Sequence, residues 1–173
     1  EIDPIIIAIA SDPRYFTFLS ECRGHQEVVI GDARIRLGET RDAAYDLIIL
    51  DAFSSDSIPT HLLTREALDL YLRKLRPGGV LLFHISNKYM DLEPLIGNMA
   101  QAANLVCFHR HDIVDAASEE NRMHSSEYVV LARSVDDIGS LAHDADWKPA
   151  RLNPDLSVWT DDYSNVLSVL RLW

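Results

Sequence analysis

Residues 47–50 read Leu-Ile-Ile-Leu, an uninterrupted apolar run that ends at Asp51 and opens into the small-residue loop Ala52-Phe53-Ser54-Ser55-Asp56-Ser57-Ile58-Pro59. A run without polar alternation is the signature of a strand buried on both faces, as in a parallel sheet covered by helices. In such sheets ligands bind in the crevice outside the carboxyl ends of the strands, so Asp51 and Asp56 are expected at a ligand site. Two carboxylates there suit a cationic or hydroxyl-bearing ligand.

The remaining elements are placed by their own signals. Asp3 before Pro4 is an N-cap followed by proline at the first helical position, which predicts a helix over Ile5 to Ala10. Asp12-Pro13 repeats the signal, and Tyr15, Phe18, Leu19 and Cys22 at i, i+3, i+4, i+7 predict a second helix ending near Gly24. Glu27 to Ile30 reads as a short strand ending in Gly31-Asp32-Ala33. Thr64 should cap a helix carrying Leu68, Tyr71, Leu72 and Leu75 on one stripe, with Arg73, Lys74 and Arg76 at its negative end and Pro77-Gly78-Gly79 as its stop. Val80 to Ile85 is a further buried strand running into Ser86-Asn87-Lys88. Asp91 opens a helix with Leu92, Leu95, Ile96 and Met99 on one face. Leu105 to Phe108 and Tyr128 to Ala132 form the last two strands, joined by a charged connection containing Glu119, Glu120, Asn121 and Arg122.

Strands alternating with helices imply right-handed crossovers and a doubly wound α/β sheet, and two final strands without a helix between them imply a closing antiparallel hairpin. Residues 1–173 read as one domain, with 134–173 as a C-terminal strap that carries a last short helix over Asp161 to Leu170. Trp159, Tyr163 and Trp173 are its expected packing anchors. No basic stripe offsets the formal charge of -11, which argues against a nucleic-acid surface. Cys22 and Cys107 are expected as reduced thiols. No stretch approaches the ~20 apolar residues of a membrane span, and a cytoplasmic location is expected. His109, His111 and Asp112 lack a further nearby ligand, so no metal is expected there.

The order of these motifs resembles the S-adenosylmethionine-dependent methyltransferase fold, a Rossmann-like and mostly parallel sheet with an antiparallel terminal strand. Within it, Glu1-Ile2-Asp3, Gly31-Asp32-Ala33, Asp51 to Pro59 and Leu75-Arg76-Pro77-Gly78-Gly79-Val80 resemble the spermidine synthases, the aminopropyltransferases. Asp51-Ala52-Phe53-Ser54-Ser55-Asp56, His84-Ile85-Ser86-Asn87 and Trp159-Thr160-Asp161-Asp162-Tyr163-Ser164-Asn165 are similar to the spermidine-synthase-like domains that bacteria often fuse behind a membrane-embedded transporter-like region. The resemblance implies an aminopropyl transfer from decarboxylated S-adenosylmethionine, or a transfer using S-adenosylmethionine itself, to a small polyamine such as putrescine. It implies Asp51 as general base, Glu1 on the ribose hydroxyls and Asp3 as a further cofactor-binding residue. Gly31, Asp32, Ala33 and Pro59 would surround the adenine, and Asp56 and His84 would hold the amine substrate. A homodimer is expected, and a membrane region could precede the chain in its parent protein. His84 stands where that family usually has glutamine, and Asp56 lies further from Asp51 than the family's second loop aspartate. The family's first strand and Gly-rich loop would precede residue 1, so the fragment alone is expected to bind cofactor poorly and to be inactive. A small-molecule methyltransferase and a non-catalytic nucleoside- or polyamine-sensing domain are the competing readings.

Overall fold

The computed structural model describes residues 1–52, 59–114 and 125–171. The chain separates into two compact units, Glu1–Arg41 and Asp42–Trp173.

In the first unit the Asp3 signal operates as expected. Its carboxylate accepts the Ile5 amide at 2.8 Å and caps α1, Pro4–Ser11. Asp32 does the same for α2, Ala33–Glu39, accepting the Ile35 amide at 2.9 Å. The helix expected after Asp12-Pro13 is absent: the stretch forms turns, and Asp12 is paired with Arg14. Glu27 to Ile30 likewise forms no ladder. A strand exists only by pairing, and this stretch is tied to the Glu1 main chain by two bonds that flank Ile30, from the Glu1 amine to the Val29 carbonyl at 3.1 Å and from the Gly31 amide to the Glu1 carbonyl at 2.9 Å.

The second unit is built on a five-stranded sheet of β1, Tyr45–Leu50; β2, Leu75–His84; β3, Val106–Asp112; β4, Ser126–Ala132; and β5, Lys148–Pro149. The spatial order is β1-β2-β4-β3-β5. β1 and β2 are parallel, with Leu47 opposite Val80 and Leu50 opposite Phe83. The expected hairpin closes with β4 antiparallel to both β2 and β3, so β1, β2 and β3 run one way and β4 and β5 the other. β1 is at one edge of the described sheet, β5 at the other. Leu50 is buried, but Leu47 and Ile49 are 49% and 56% exposed. The expectation of burial on both faces therefore fails for β1; in β2 it holds on the Leu81 and Phe83 face and in part on the other, where Val80 and Leu82 are partly buried.

Alternation along β2 and β4 sends side chains to two cores. Leu81, Phe83, Val129 and Leu131 are buried, with the Tyr71 ring edge-on to Phe83 at 6.5 Å. Tyr71 belongs to α3, Arg65–Lys74, which Thr64 caps through the Ala67 amide at 3.2 Å. Leu92, Leu95, Ile96 and Met99 are buried on and just before α4, Glu93–Ala102. Leu92 occupies the cap position of α4 without a side-chain bond, and Asp91 instead receives Arg151. On the opposite side, Val130, Ala132 and Ile138 form a second cluster with Val80, Leu82, Val106, Phe108 and Trp147 around it. Ile138 ends α5, Val135–Ile138, which opens on a Ser134/Asp137 capping box.

α3 stops at Lys74 and the chain enters β2 directly, so Pro77-Gly78-Gly79 lies within the strand rather than terminating the helix. The ladder is irregular there, between Tyr45 and Leu47. Gly78 adopts φ 79°, a conformation that favours glycine. The tail beyond β5 is anchored by Trp159, which is fully buried, whereas Tyr163 is 50% exposed and anchors nothing by burial. The Thr64 hydroxyl donates to Asp161 at 2.8 Å, and the Asp161 amide donates to Glu66 at 3.0 Å. Instead of the expected short helix, this end holds a single 3-10 turn, Val166–Val169. Trp173 and the 119–122 connection lie outside the described residues.

Candidate active site

The carboxyl ends of β1 and β2 meet at one edge of the sheet, and the parallel register decides what stands there. Since Leu50 faces Phe83, the next residues along, Asp51 and His84, are neighbours. His84 Nδ1 lies 2.6 Å from Asp51 Oδ1. A carboxylate can only accept, so the imidazole donates through Nδ1. The other ring nitrogen, Nε2, lies 2.6 Å from the Ser86 hydroxyl, which accepts the Glu127 amide at 2.8 Å. The antiparallel register also pairs His84 with Tyr128, and their rings stack at 4.8 Å with 26° between planes.

The Asp51 side chain is 67% exposed while that of His84 is 26% exposed. Asp51 therefore presents a carboxylate to solvent with one oxygen held from behind, and Oδ2 has no partner among the described residues. Pro59 immediately precedes a 3-10 turn, Thr60–Leu62, that returns the chain to the core through Leu62 and Leu63. Asp56 lies outside the described residues.

The other candidates belong to the first unit. The Glu1 carboxylate accepts the Ile2 amide at 2.7 Å and the Asp3 amide at 2.9 Å. These two bonds, that from Asp3 foremost, hold its carboxyl below the usual range. Asp3 caps α1. Gly31 adopts φ 138°, and a Cβ there would run into the Arg36 side chain, so glycine is required where the chain turns into α2. Asp32 and Ala33 are the cap and first residue of α2.

Nothing in the sequence marks Ser86 or Tyr128 as a site residue by itself. Ser86 was legible in principle, because residues two apart at a strand end share a face. Tyr128 is fixed by the β2/β4 register, which no local pattern reveals.

A sheet ordered β1-β2-β4-β3-β5, with the last hairpin inserted antiparallel and a carboxylate at the end of β1, defines the Rossmann-like methyltransferase class of fold. Among solved structures, the chain is similar to spermidine synthase from Thermotoga maritima, with a TM-score of 0.55 and 15% identity over 99% of this chain and 55% of that one. It is also similar to a spermidine synthase in complex with the transition-state analogue AdoDATO, with a TM-score of 0.57 and 15% identity over 94% and 54% of the two chains. At these identities the likeness is one of fold. In sequence, 83 residues are 41% identical to the polyamine aminopropyltransferase of Vibrio vulnificus, covering 47% of this chain and 26% of that protein. The match thus spans about a quarter of the curated relative, and the chain matches little over half of each synthase. No family model matches. Among the described residues no helix is long and apolar enough to cross a membrane.

Proposed function

We propose that the protein is an aminopropyltransferase that moves the aminopropyl group of decarboxylated S-adenosylmethionine to a polyamine such as putrescine, with Asp51 as the general base. The observation that carries the reading is the exposed Asp51 carboxylate at the end of β1, held at Oδ1 by His84 and with no partner at Oδ2 among the described residues. The sequence match to a polyamine aminopropyltransferase agrees with it.

An amine substrate arrives as an ammonium ion. Asp51 binds it by charge and removes one proton, which leaves a nitrogen lone pair. The neutral amine attacks the carbon bonded to the sulfonium; the new C–N bond forms as the C–S bond breaks. The sulfur departs as the neutral thioether methylthioadenosine, and the proton on Asp51 passes to solvent. What the enzyme supplies is alignment of nucleophile and leaving group, together with a base within reach of the amine. In this reading Glu1 receives the ribose hydroxyls with Asp3 beside it on the cofactor side, and Gly31, Asp32, Ala33 and Pro59 surround the adenine. Asp56 and His84 complete the amine side.

The test uses the protein as the cell makes it, with decarboxylated S-adenosylmethionine and putrescine, following methylthioadenosine release. Asp51→Asn should lower turnover about 10²- to 10⁴-fold, the range of a lost general base. Calorimetry with methylthioadenosine, with Asp32→Ala as control, reports the nucleoside pocket separately. Methyl transfer from S-adenosylmethionine would replace the reading with a methyltransferase. Saturable nucleoside binding without turnover would replace it with a sensor.

A further inference from the structure

The chain of contacts behind Asp51 is longer than a base needs. We infer that His84 and Ser86 are positioning residues. Together they lock the orientation and proton-accepting state of Asp51, through a relay that runs from the β4 main chain to the carboxylate. The inference rests on the reading of Asp51 as the base and deepens it.

The argument is one of donors and acceptors. The Glu127 amide can only donate, so Ser86 Oγ accepts at that contact, 2.8 Å away. The hydroxyl proton then remains for His84 Nε2, 2.6 Å away. An imidazole that accepts at Nε2 carries its proton on Nδ1, and Nδ1 faces Asp51 Oδ1 at 2.6 Å. Each link fixes the next, and the ring plane is fixed independently by the stack on Tyr128. The tautomer with hydrogen on Nε2 alone is excluded, because it would set an imidazole lone pair against a carboxylate oxygen.

The relay leaves only one other protonation state. When the imidazole gains a proton, Nε2–H donates to Ser86 Oγ and the hydroxyl proton must turn away. The imidazolium then sits 2.6 Å from Asp51. Such a charge would compete with a substrate ammonium for the same carboxylate. Among the described residues, the groups facing the ring are Asp51 from the end of β1, Ser86 beyond β2 and Tyr128 from β4. The Glu127 carboxylate is turned to Arg171 at 2.9 Å and to His111 at 3.4 Å. A glutamine at position 84 would keep an N–H donor for Asp51 but could not charge.

The first readout is independent of turnover. In the ¹⁵N-histidine spectrum of the protein, the His84 signals are identified by their loss in His84→Gln, and they should report hydrogen on Nδ1 at neutral pH. Ser86→Ala, a small change at a partly buried position, should move the Nε2 signal and release the tautomer toward a mixture. The second readout is kinetic. Ser86→Ala should lower kcat/KM for the amine about tenfold to hundredfold, the scale of a slightly misplaced catalytic group, with KM for the sulfonium donor unchanged.

Hydrogen on Nε2 at neutral pH would overturn the inference. So would a Ser86→Ala variant whose kcat/KM for the amine equals that of wild type. Absence of any aminopropyl transfer by wild type would instead overturn the functional reading. The histidine spectrum would still decide the lock, because Asp51→Asn should then shift the His84 tautomer.

Discussion

The bond between Glu93 and Arg151 should behave asymmetrically, because only one of its two charges is buried. The Glu93 side chain is 5% exposed and that of Arg151 is 61% exposed. Glu93 Oε2 accepts Arg151 Nε at 2.6 Å, and Oε1 accepts the Arg151 main-chain amide at 2.8 Å. Arg151 also donates to both Asp91 oxygens, at 3.0 and 2.9 Å. Arg151→Ala leaves a buried carboxylate without its cation, for which breaking a buried pair typically costs 3–5 kcal/mol. The main-chain amide survives the substitution, so about 3 kcal/mol is expected, the low end of that range. Glu93→Gln is the milder change. Its amide oxygen can still accept the main-chain bond, and the exposed guanidinium keeps Asp91, so about 1–2 kcal/mol is expected for the weakened hydrogen bonding. The double variant should be more stable than Arg151→Ala alone, since the stranded charge has gone. Urea unfolding followed by tryptophan fluorescence reads this directly, all three tryptophans lying in the second unit. With a slope of about 2–3 kcal/mol per molar, Arg151→Ala should lower the midpoint by about 1–1.5 M. The reasoning is refuted if Glu93→Gln costs as much as Arg151→Ala, or if the two effects simply add.

Gly97 lies on α4, where alanine is ordinarily the better helix former by about 1 kcal/mol. A Cβ there would drive into the Arg151 carbonyl oxygen. Gly97→Ala should therefore destabilise by about 1–3 kcal/mol, the cost of overpacking, and a raised melting temperature would contradict this. Burial holds the His109 pKa below its ordinary 6.5, helped by His111 and Arg151 and opposed by Glu93 and Glu127. Its Nε2 is buried without a partner among the described residues. The unfolded chain then binds the extra proton first, so stability should fall as pH drops below about 6.5 and through the folded-state value. Urea midpoints at pH 7 and below 6 should diverge less in His109→Gln than in wild type. Burial, with the nearby Glu93 charge, pushes the Cys107 thiol up to about 12, whereas Cys22 is exposed. Iodoacetamide at pH 8 should label Cys22 in the native protein and Cys107 only after unfolding, as mass spectrometry of the modified peptides would show.

What the sequence made legible follows the reach of each signal. Caps act over three residues, and Asp3 and Thr64, both legible in the sequence, accept the amides that begin their helices; Asp32 and Ser134 cap α2 and α5 in the same way, but with short helices the sequence pattern does not mark. A cap can also be read where no helix follows: Asp12 has the same local chemistry, but its carboxylate is taken by Arg14. An apolar run shows that a strand wants cover, yet cannot say how many neighbours it will find. Leu47-Ile48-Ile49-Leu50 and Val80-Leu81-Leu82-Phe83 look alike as text; one lies at the sheet edge with two residues exposed, and the other is central. The site divides in the same way. Asp51 and His84 are visible as polar residues ending apolar runs, whereas their hydrogen bond depends on the parallel register that sets Leu50 against Phe83. Tyr128 and the Glu127 amide arrive by a second, antiparallel register from a strand more than forty residues away, as Ser86 to Glu127 spans 41 positions. A residue's chemistry is therefore local while its state is not. Asp51 is a candidate base by type and place, but which of its oxygens is open is decided by strand pairing, and a substitution that slipped β4 by one residue would remove Tyr128 from His84 and leave the relay without its anchor.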